Sequence, residues 1–162
     1  MLRAAGDGDV ATIRLWRNHP KVRGASLTTH EIGAAEHQAW WEAVSTDQSR
    51  RVLIYERAGT PAGVVIFTGL GTDVAEWSKY LDVVGVGADR RGAWVELEHE
   101  ALRYAFEVLG VTRLRGVTLA TNRPVLTLHA EVGFTETRRF VRDGREIVWN
   151  ELTATEWTAR HG

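Results

Sequence analysis

A glycine-rich turn that carries two arginines is the segment whose residue types best suit the binding of a phosphate group. Gly85, Gly87 and Gly92 supply backbone freedom, and Arg90 and Arg91 supply positive charge. The turn leads into a predicted helix, and the N-terminus of a helix presents free N–H groups and partial positive charge to an anion. Such short patterns are common, so an arginine-bearing surface loop is an alternative interpretation.

The elements that must position this turn follow from hydrophobic spacing and from turn residues. Helices are predicted at Asp9–Asn18, Ala34–Val44, Glu96–Gly110 and Arg123–Val132, and strands at Arg51–Glu56, Ala62–Thr68, Val74–Val84, Arg113–Leu119, Phe134–Val141 and Arg145–Leu152. The helix after the turn has the clearest pattern, with one face formed by Trp94, Leu97, Ala101, Ala105 and Val108. This mixed order predicts a single α/β domain over residues 1–162 with one central sheet.

Composition and charge exclude several classes of function. The chain has 162 residues and no cysteine, which excludes a disulfide framework, a thiolate zinc site and a cysteine nucleophile. Twenty basic and 21 acidic residues give a net charge of −1, which argues against a nucleic-acid partner. No apolar segment reaches the length of a signal peptide or a membrane span, so we expect a cytoplasmic protein without a membrane partner. His19, His37 and His99 lack the spacing of metal ligands, so no metal site is expected.

The arrangement of strand, glycine-rich turn, long helix, strand and asparagine resembles the GNAT superfamily of acyl-CoA-dependent N-acyltransferases. The family pattern Gln/Arg-x-x-Gly-x-Gly/Ala corresponds to Asp89–Trp94, and the segment Asn122–Phe134 is similar to the family signature of Asn, small apolar residues, Leu-Tyr and Gly-Phe. The resemblance extends from Leu2 to Trp149.

The N-terminal part narrows this resemblance. The segments Leu15–Arg23 and Glu36–Trp40 and the pair Glu76-Trp77 look like those of two groups. One comprises the amino-sugar-nucleotide N-acetyltransferases of the pseudaminic-acid type, and the other the N-terminal acetyltransferases of ribosomal proteins. The opening Trp-Arg-Asn-His-Pro favours the first group.

The resemblance implies a single GNAT fold, with a mixed and mostly antiparallel central sheet flanked by helices. It also implies acetyl-CoA as the acyl donor and a primary amine of a small acceptor, such as an amino sugar or its nucleotide. The pantetheine arm would enter between two splayed central strands, and N–H groups of the turn would bind the pyrophosphate. Dimers are common in the superfamily, so a homodimer formed through the closing hairpin is a further expectation.

The resemblance assigns candidate roles to individual residues. Glu76 would be the base or the anchor for the amine, and His129 stands where the family has the tyrosine that protonates the leaving thiolate. The candidate cofactor-binding residues are Val83, Val84, Asp89, Arg90, Arg91, Gly92, Ala93, Trp94 and Asn122. The candidate acceptor-binding residues are Arg17, Asn18, His37, Trp40 and Trp77.

Three positions depart from the family pattern. Trp94 replaces a Gly or Ala and could fill the space of the phosphates, while the carboxylate of Asp89 would repel a diphosphate. His129 replaces the tyrosine, and an imidazolium could serve as the acid instead. The alternative function is therefore a GNAT-fold protein with a degenerate CoA site that works as a ligand-binding or accessory protein.

The candidate residues also have purely structural interpretations. Glu76 could be an ordinary strand carboxylate facing solvent, and His129 a surface histidine on a helix. His37 and Trp40 could serve packing alone, since aromatic side chains dominate protein cores.

Overall fold

The computed structural model describes residues 1–161, which form one seven-stranded sheet flanked by helices. The strands are β1 (Leu2–Ala4), β2 (Arg51–Arg57), β3 (Thr60–Thr68), β4 (Ala75–Leu81), β5 (Arg113–Leu119), β6 (Thr135–Arg142) and β7 (Arg145–Thr153). Their order in the sheet is β1-β2-β3-β4-β5-β7-β6. Neighbouring strands are antiparallel except β4 and β5, which are parallel. The predicted mixed and mostly antiparallel sheet is therefore confirmed.

Seven helices cover the sheet and connect its strands. They are α1 (Val10–Arg17), α2 (Pro20–Gly24), α3 (Ala34–Ser45), α4 (Val83–Val86), α5 (Arg90–Arg103), α6 (Arg123–Val132) and α7 (Ala154–His161). Helix α5 continues as a π-helical segment over Tyr104–Val108. Among the described residues, none of the helices combines the length and the apolar character that a bilayer crossing requires.

Parts of the sequence-based prediction were wrong. The helix predicted from Glu96 begins at Arg90, so the second half of the predicted turn is helical. The strand predicted over Val74–Val84 ends at Leu81, because the carboxylate of Asp82 accepts a hydrogen bond from the Gly85 N–H and starts α4. Val108 was predicted to be buried but is 63% exposed. The wider turns of the π-helical segment rotate it away from the face that carries Leu97. The elements β1, α2, α4 and α7 were not predicted.

The sheet buries a separate hydrophobic cluster on each face. On one face, α5 and α6 pack Leu97, Leu102 and Leu128 against strand residues such as Phe67 and Leu114. On the other face, α1 and α3 pack a second cluster, made up of Ile13, Trp16, Trp41, Val44, Val52, Ile54 and Val64. Neither α1 nor α3 contributes to the first cluster, so the centre of the sheet is held from both sides by different helices.

The parallel pairing of β4 with β5 is short. It comprises Ala75 with Leu114, Glu76 with Arg115 and Trp77 with Gly116. Past these pairs, within residues 1–161, the rest of β4 pairs only with β3 and the rest of β5 only with β7. The two strands therefore diverge and leave a gap in the middle of the sheet.

Gly116 closes the narrow end of this gap. A Cβ atom at this position would lie 3.0 Å from Trp77 Nε1 and 3.2 Å from His129 Cε1. Both of these rings are buried. Because neither ring can move far, glycine allows Trp77 and His129 to meet β5 where the strands part.

We expect Gly116→Ala to lower the free energy of unfolding by about 1–3 kcal/mol, since overpacking a filled site displaces its neighbours. Urea denaturation measures the change. Gly24→Ala is the matched control, because its Cβ would have no contact within 4 Å and would lie in a helix. A Gly116→Ala variant as stable as the Gly24→Ala variant would contradict the close packing described here.

Candidate active site

The gap between β4 and β5 opens into a cleft of about 1130 Å³. The divergent halves of both strands form its walls, from Ser78 to Leu81 and from Gly116 to Thr118. Arg17 at the end of α1, residues of α2 and the segment up to Thr28 line one part of it, and the starts of α5 and α6 line another. Because α1 packs on one face of the sheet and α5 and α6 pack on the other, these two parts form opposite ends of the cleft. The cleft is thus a consequence of the strand divergence, and the helices that begin and end beside it supply its polar groups.

Positive charge dominates the lining of the cleft. Six cationic side chains line it, namely Arg17, Lys21, Lys79, Arg90, Arg91 and Arg123, against a single lining carboxylate, that of Glu131. Lys79 is buried and paired with Glu98, so the other five supply the excess positive charge. A cleft lined by one sign of charge attracts ligands of the opposite sign. This lining suits an anionic ligand.

The predicted cofactor-binding residues divide into two groups. Val83, Arg90, Arg91, Trp94 and Asn122 line the cleft. Val84, Asp89, Gly92 and Ala93 do not contribute to its lining.

The reasons differ for the residues outside the cleft. Val84 lies on α4, where its side chain is exposed, because the predicted strand ends before it. Asp89 forms a 2.6 Å ion pair with Arg57, so its carboxylate is partly neutralised. Ala93 is fully buried in the core. Gly92 lies in the first turn of α5 and is exposed.

The start of α5 fits the diphosphate of an acyl-CoA. The helix begins at Arg90, and the side chain of its cap residue Asp89 forms no capping hydrogen bond, although its carboxylate lies against the first turn at Gly92 and is paired with Arg57. Arg90 and Arg91 flank this end of the cleft. Trp94 packs against the hydrophobic cluster between the sheet and helices α5 and α6, and it forms part of the cleft wall. The residues present therefore offer backbone donors and two guanidinium groups where the family places pyrophosphate.

Arg17 presents a charged group at the opposite end of the cleft. Its side chain is only 8% exposed, and Nη2 donates to the carbonyl oxygen and the hydroxyl of Thr28 at 2.7 and 2.8 Å. Its other terminal nitrogen, Nη1, is buried and has no hydrogen-bond partner within residues 1–161. Burial lowers the pKa of Arg17. A buried, half-satisfied guanidinium beside a cleft is suited to bind an anionic group of a ligand.

Three of the candidate acceptor-binding residues, Asn18, His37 and Trp40, do not line the cleft. The Asn18 side chain bonds both the N–H and the carbonyl of Ile32, at 2.7 and 2.9 Å, and fixes the loop after α2. His37 is buried, with Nε2 at 3.0 Å from the Val10 carbonyl oxygen, and it stacks on Trp40. Burial lowers the pKa of His37. The local hydrogen bonds and stacking thus account for the positions of these three side chains.

Glu76 and Trp77 point to opposite faces of β4, as neighbours on a strand do. Trp77 lies at the narrow end of the gap and stacks on His129 with ring centroids 5.8 Å apart. Glu76 is 42% exposed on the other face, in an adjoining pocket of about 310 Å³, with its carboxylate 3.3 Å from Arg115. Trp77, Ser78 and Val117 line both the pocket and the cleft. Glu76 and His129 therefore approach the gap from opposite faces of the sheet.

His129 belongs to a buried ionic cluster that the sequence analysis did not predict. Its Nε2 lies 2.9 Å from Glu98 Oε1, and Lys79 Nζ lies 3.2 Å from the same oxygen. Burial lowers the pKa of both His129 and Lys79, and Glu98 opposes that shift. Burial raises the pKa of Glu98, but Lys79 and His129 outweigh it and leave the pKa below its usual value.

One signal for this cluster was present in the sequence. Glu98 lies three and four positions before Ala101 and Leu102, on the apolar face of the helix. A carboxylate on such a face needs a buried partner. The identity of that partner, Lys79 on β4, depends on the tertiary structure.

Comparison with known proteins places the chain in a family. A family model of the acetyltransferase (GNAT) domain matches residues 1–135. Acetyltransferase PseH of Campylobacter jejuni strain 81-176 is 27% identical over 127 residues, which cover 78% of this chain and 77% of that protein. PseH of a second C. jejuni strain is 28% identical over 129 residues, with the same coverage of both chains.

Solved structures show the same fold. The spermidine N-acetyltransferase of Vibrio cholerae, in complex with CoA and spermine, superposes with a TM-score of 0.86 at 18% sequence identity. The match covers 98% of this chain and 97% of that one. The spermidine/spermine N-acetyltransferase SpeG of V. cholerae, in complex with manganese ions, has a TM-score of 0.80 at 20% identity, with 100% and 96% coverage.

These matches confirm the predicted GNAT fold and the predicted donor, since acetyl-CoA is the acyl donor in this family. The diverging strands, the start of α5 and the matched residues 1–135 all agree with that assignment. The chain belongs to the GNAT acetyltransferase family.

Proposed function

We propose that this enzyme transfers the acetyl group of acetyl-CoA to a primary amine on a small anionic acceptor, an amino sugar or its nucleotide. The observation that carries this proposal is the cationic acceptor end of the cleft. There Arg17 keeps one buried guanidinium nitrogen without a partner in the described chain, and Lys21 lines the same cleft. A phosphate or carboxylate on the acceptor would satisfy this nitrogen.

The same charges argue against a polyamine acceptor, although structural neighbours of this chain are spermidine N-acetyltransferases. A polyamine carries several positive charges, and like charges at close range in a partly buried site repel strongly. Arg17 and Lys21 would therefore oppose its binding. The N-terminal resemblance to amino-sugar-nucleotide acetyltransferases and the similarity to PseH favour the anionic acceptor.

The chain's own residues divide the work between the two faces of the gap. Bound acetyl-CoA supplies an activated acetyl group, with Arg90, Arg91 and the α5 N–H groups binding its phosphates. Glu76 attracts the ammonium form of the acceptor and takes its first proton. His129, on the opposite face, donates the proton that the leaving sulfur requires.

A panel of acceptors tests this proposal, with spermidine, free amino sugars and nucleotide-linked amino sugars compared at equal concentration. Release of CoA can be followed with a thiol reagent, because the chain has no cysteine to react with it. We expect the highest kcat/KM for the nucleotide-linked amino sugars. A preference for spermidine would contradict the proposed acceptor class.

Within that panel, Arg17→Gln should raise the KM for the preferred anionic acceptor by about tenfold or more, as expected from loss of a charged hydrogen bond. Arg14→Gln is the matched control. Arg14 also anchors the loop after α2, through the Ile32 carbonyl oxygen, but does not line the cleft. Equal effects of the two substitutions would show that Arg17 only holds the loop.

Glu76→Ala should lower kcat by about 10²–10⁴-fold, the usual contribution of a general base. The affinity for acetyl-CoA should stay unchanged, because Glu76 lies outside the cleft that lodges the donor. Steady-state kinetics and calorimetry measure the two quantities. Unchanged turnover would remove Glu76 from the mechanism.

Trp94→Ala decides between the enzyme and a protein with a degenerate CoA site. The indole packs on the core beside the cleft, so we expect the wild-type protein to bind acetyl-CoA and the variant to bind it within about tenfold of the same affinity. The rise in melting temperature on addition of acetyl-CoA measures the binding of the donor to each protein. A rise in the variant alone would show that Trp94 blocks the donor site.

A further inference from the structure

Three ionisable side chains from different elements meet in the core beside the gap. Lys79 comes from β4, Glu98 from α5 and His129 from α6, and their side chains are 4%, 0% and 2% exposed. Burying charged groups is costly, and apolar residues of similar size often stabilise such a site better. Packing alone therefore does not explain this cluster.

The two ring nitrogens of His129 have different surroundings. Nε2 lies 2.9 Å from Glu98 Oε1, although the ring is not aligned for a hydrogen bond to it. Nδ1 is buried, has no hydrogen-bond partner among residues 1–161 and lies 3.6 Å from the position of a Cβ on Gly116, a residue that lines the cleft. The negative charge of Glu98 lies next to Nε2, so it favours the proton on that nitrogen and leaves Nδ1 with a lone pair.

The charges around His129 favour its neutral form. Its ionisable neighbours are Glu98 from α5 and Lys79 from β4, while β5 and the segment after α6 present Gly116 and Phe134. The Lys79 ammonium lies against the same carboxylate oxygen and so counters the pull of Glu98 on a proton. Burial acts in the same direction and lowers the pKa of His129. An imidazolium that waits to act as an acid, as expected from the sequence, does not suit these surroundings.

We propose that Glu98 and Lys79 are positioning residues that hold His129 neutral, with Nδ1 free, so that His129 carries one proton from the attacking amine to the leaving sulfur. This inference deepens the proposed function and rests on it. As the nitrogen–carbon bond forms, the nitrogen loses a proton to Nδ1. As the carbon–sulfur bond breaks, the sulfur takes the electron pair and then that proton, and His129 returns to its neutral form.

A single imidazole can serve both atoms, because nitrogen and sulfur are joined to the same carbon during the transfer. The proton balance with Glu76 is also complete. An ammonium acceptor has three protons on nitrogen and the amide product has one. Glu76 passes one proton to solvent, and His129 passes the other to sulfur.

Opposite substitutions in the cluster test this proposal. We expect Lys79→Met to raise the pKa of His129 by about one unit, since Glu98 then acts alone, and Glu98→Gln to lower it by a similar amount. Nuclear magnetic resonance of the imidazole nitrogens, assigned with His129→Gln, measures the pKa and the tautomer in the free protein. Shifts of opposite sign show that the two charges set the protonation of His129, and the pH dependence of activity then separates a catalytic role from a purely structural one.

The pH dependence of kcat/KM should follow these shifts. Activity requires neutral His129, so it falls as pH drops below the pKa of His129 in the free enzyme. Lys79→Met should move that acidic limb to higher pH, and Glu98→Gln should move it to lower pH. The double variant Lys79→Met/Glu98→Gln removes both charges and should return the limb toward its wild-type position, which also keeps the test valid if one single variant folds poorly.

The proposal is overturned if His129 is protonated at neutral pH in the wild type or if both variants shift its pKa in the same direction. It is also overturned if the acidic limb of kcat/KM does not move with the pKa of His129. The resonance measurement needs neither donor nor acceptor. If His129 titrates as expected but the enzyme does not prefer anionic acceptors, the proposed acceptor is wrong. If the enzyme transfers acetyl groups but the variants do not change the pKa of His129, the proposed role of His129 as proton carrier is wrong.

Discussion

The structure depends on one interrupted ladder of hydrogen bonds. β4 and β5 pair in parallel for three residue pairs and then separate, at Trp77 and Gly116. Buried backbone N–H and C=O groups need hydrogen-bond partners. Where β4 and β5 separate, their unpaired groups must therefore bind a ligand, water or other parts of the chain. The start of α5, the turn before α6 and the ring of His129 are all placed around that opening. The cleft follows from the divergence, and the side chains of the surrounding helices supply its charge.

The two ends of the cleft explain how one fold serves different acceptors. The donor end uses the first turn of a helix and its arginines, features that the fold itself supplies. The proposed acceptor end uses side chains on α1 and α2, which can change without disturbing the sheet. Spermidine N-acetyltransferases share this fold at 18–20% identity, and function resides in the site rather than in the fold. The proposed acceptor class therefore rests on Arg17 and Lys21 and not on the superposition.

Sequence patterns predicted six of the strands and four of the helices, but not the remaining elements or the long-range partners. The strand Arg113–Leu119 and the helix Arg123–Val132 were predicted with the observed bounds, because their patterns are local and regular. The end of β4 depended on the capping carboxylate of Asp82, which hydrophobic spacing does not reveal. His37 resembled a pocket residue until its bond to Val10 was known, and the contact of Glu98 with Lys79 and His129 joins three elements. The local patterns of a single sequence do not show which distant segments come into contact.

The most direct test of the central claim is amide hydrogen exchange with and without acetyl-CoA. Exchange reports backbone groups that gain a partner or lose access to water. On addition of acetyl-CoA, we expect slower exchange in peptides that cover residues 78–81 and 90–94, with little change in β1 and β2. Protection elsewhere, or none at millimolar acetyl-CoA, would contradict the claim that the gap between β4 and β5 is the donor site.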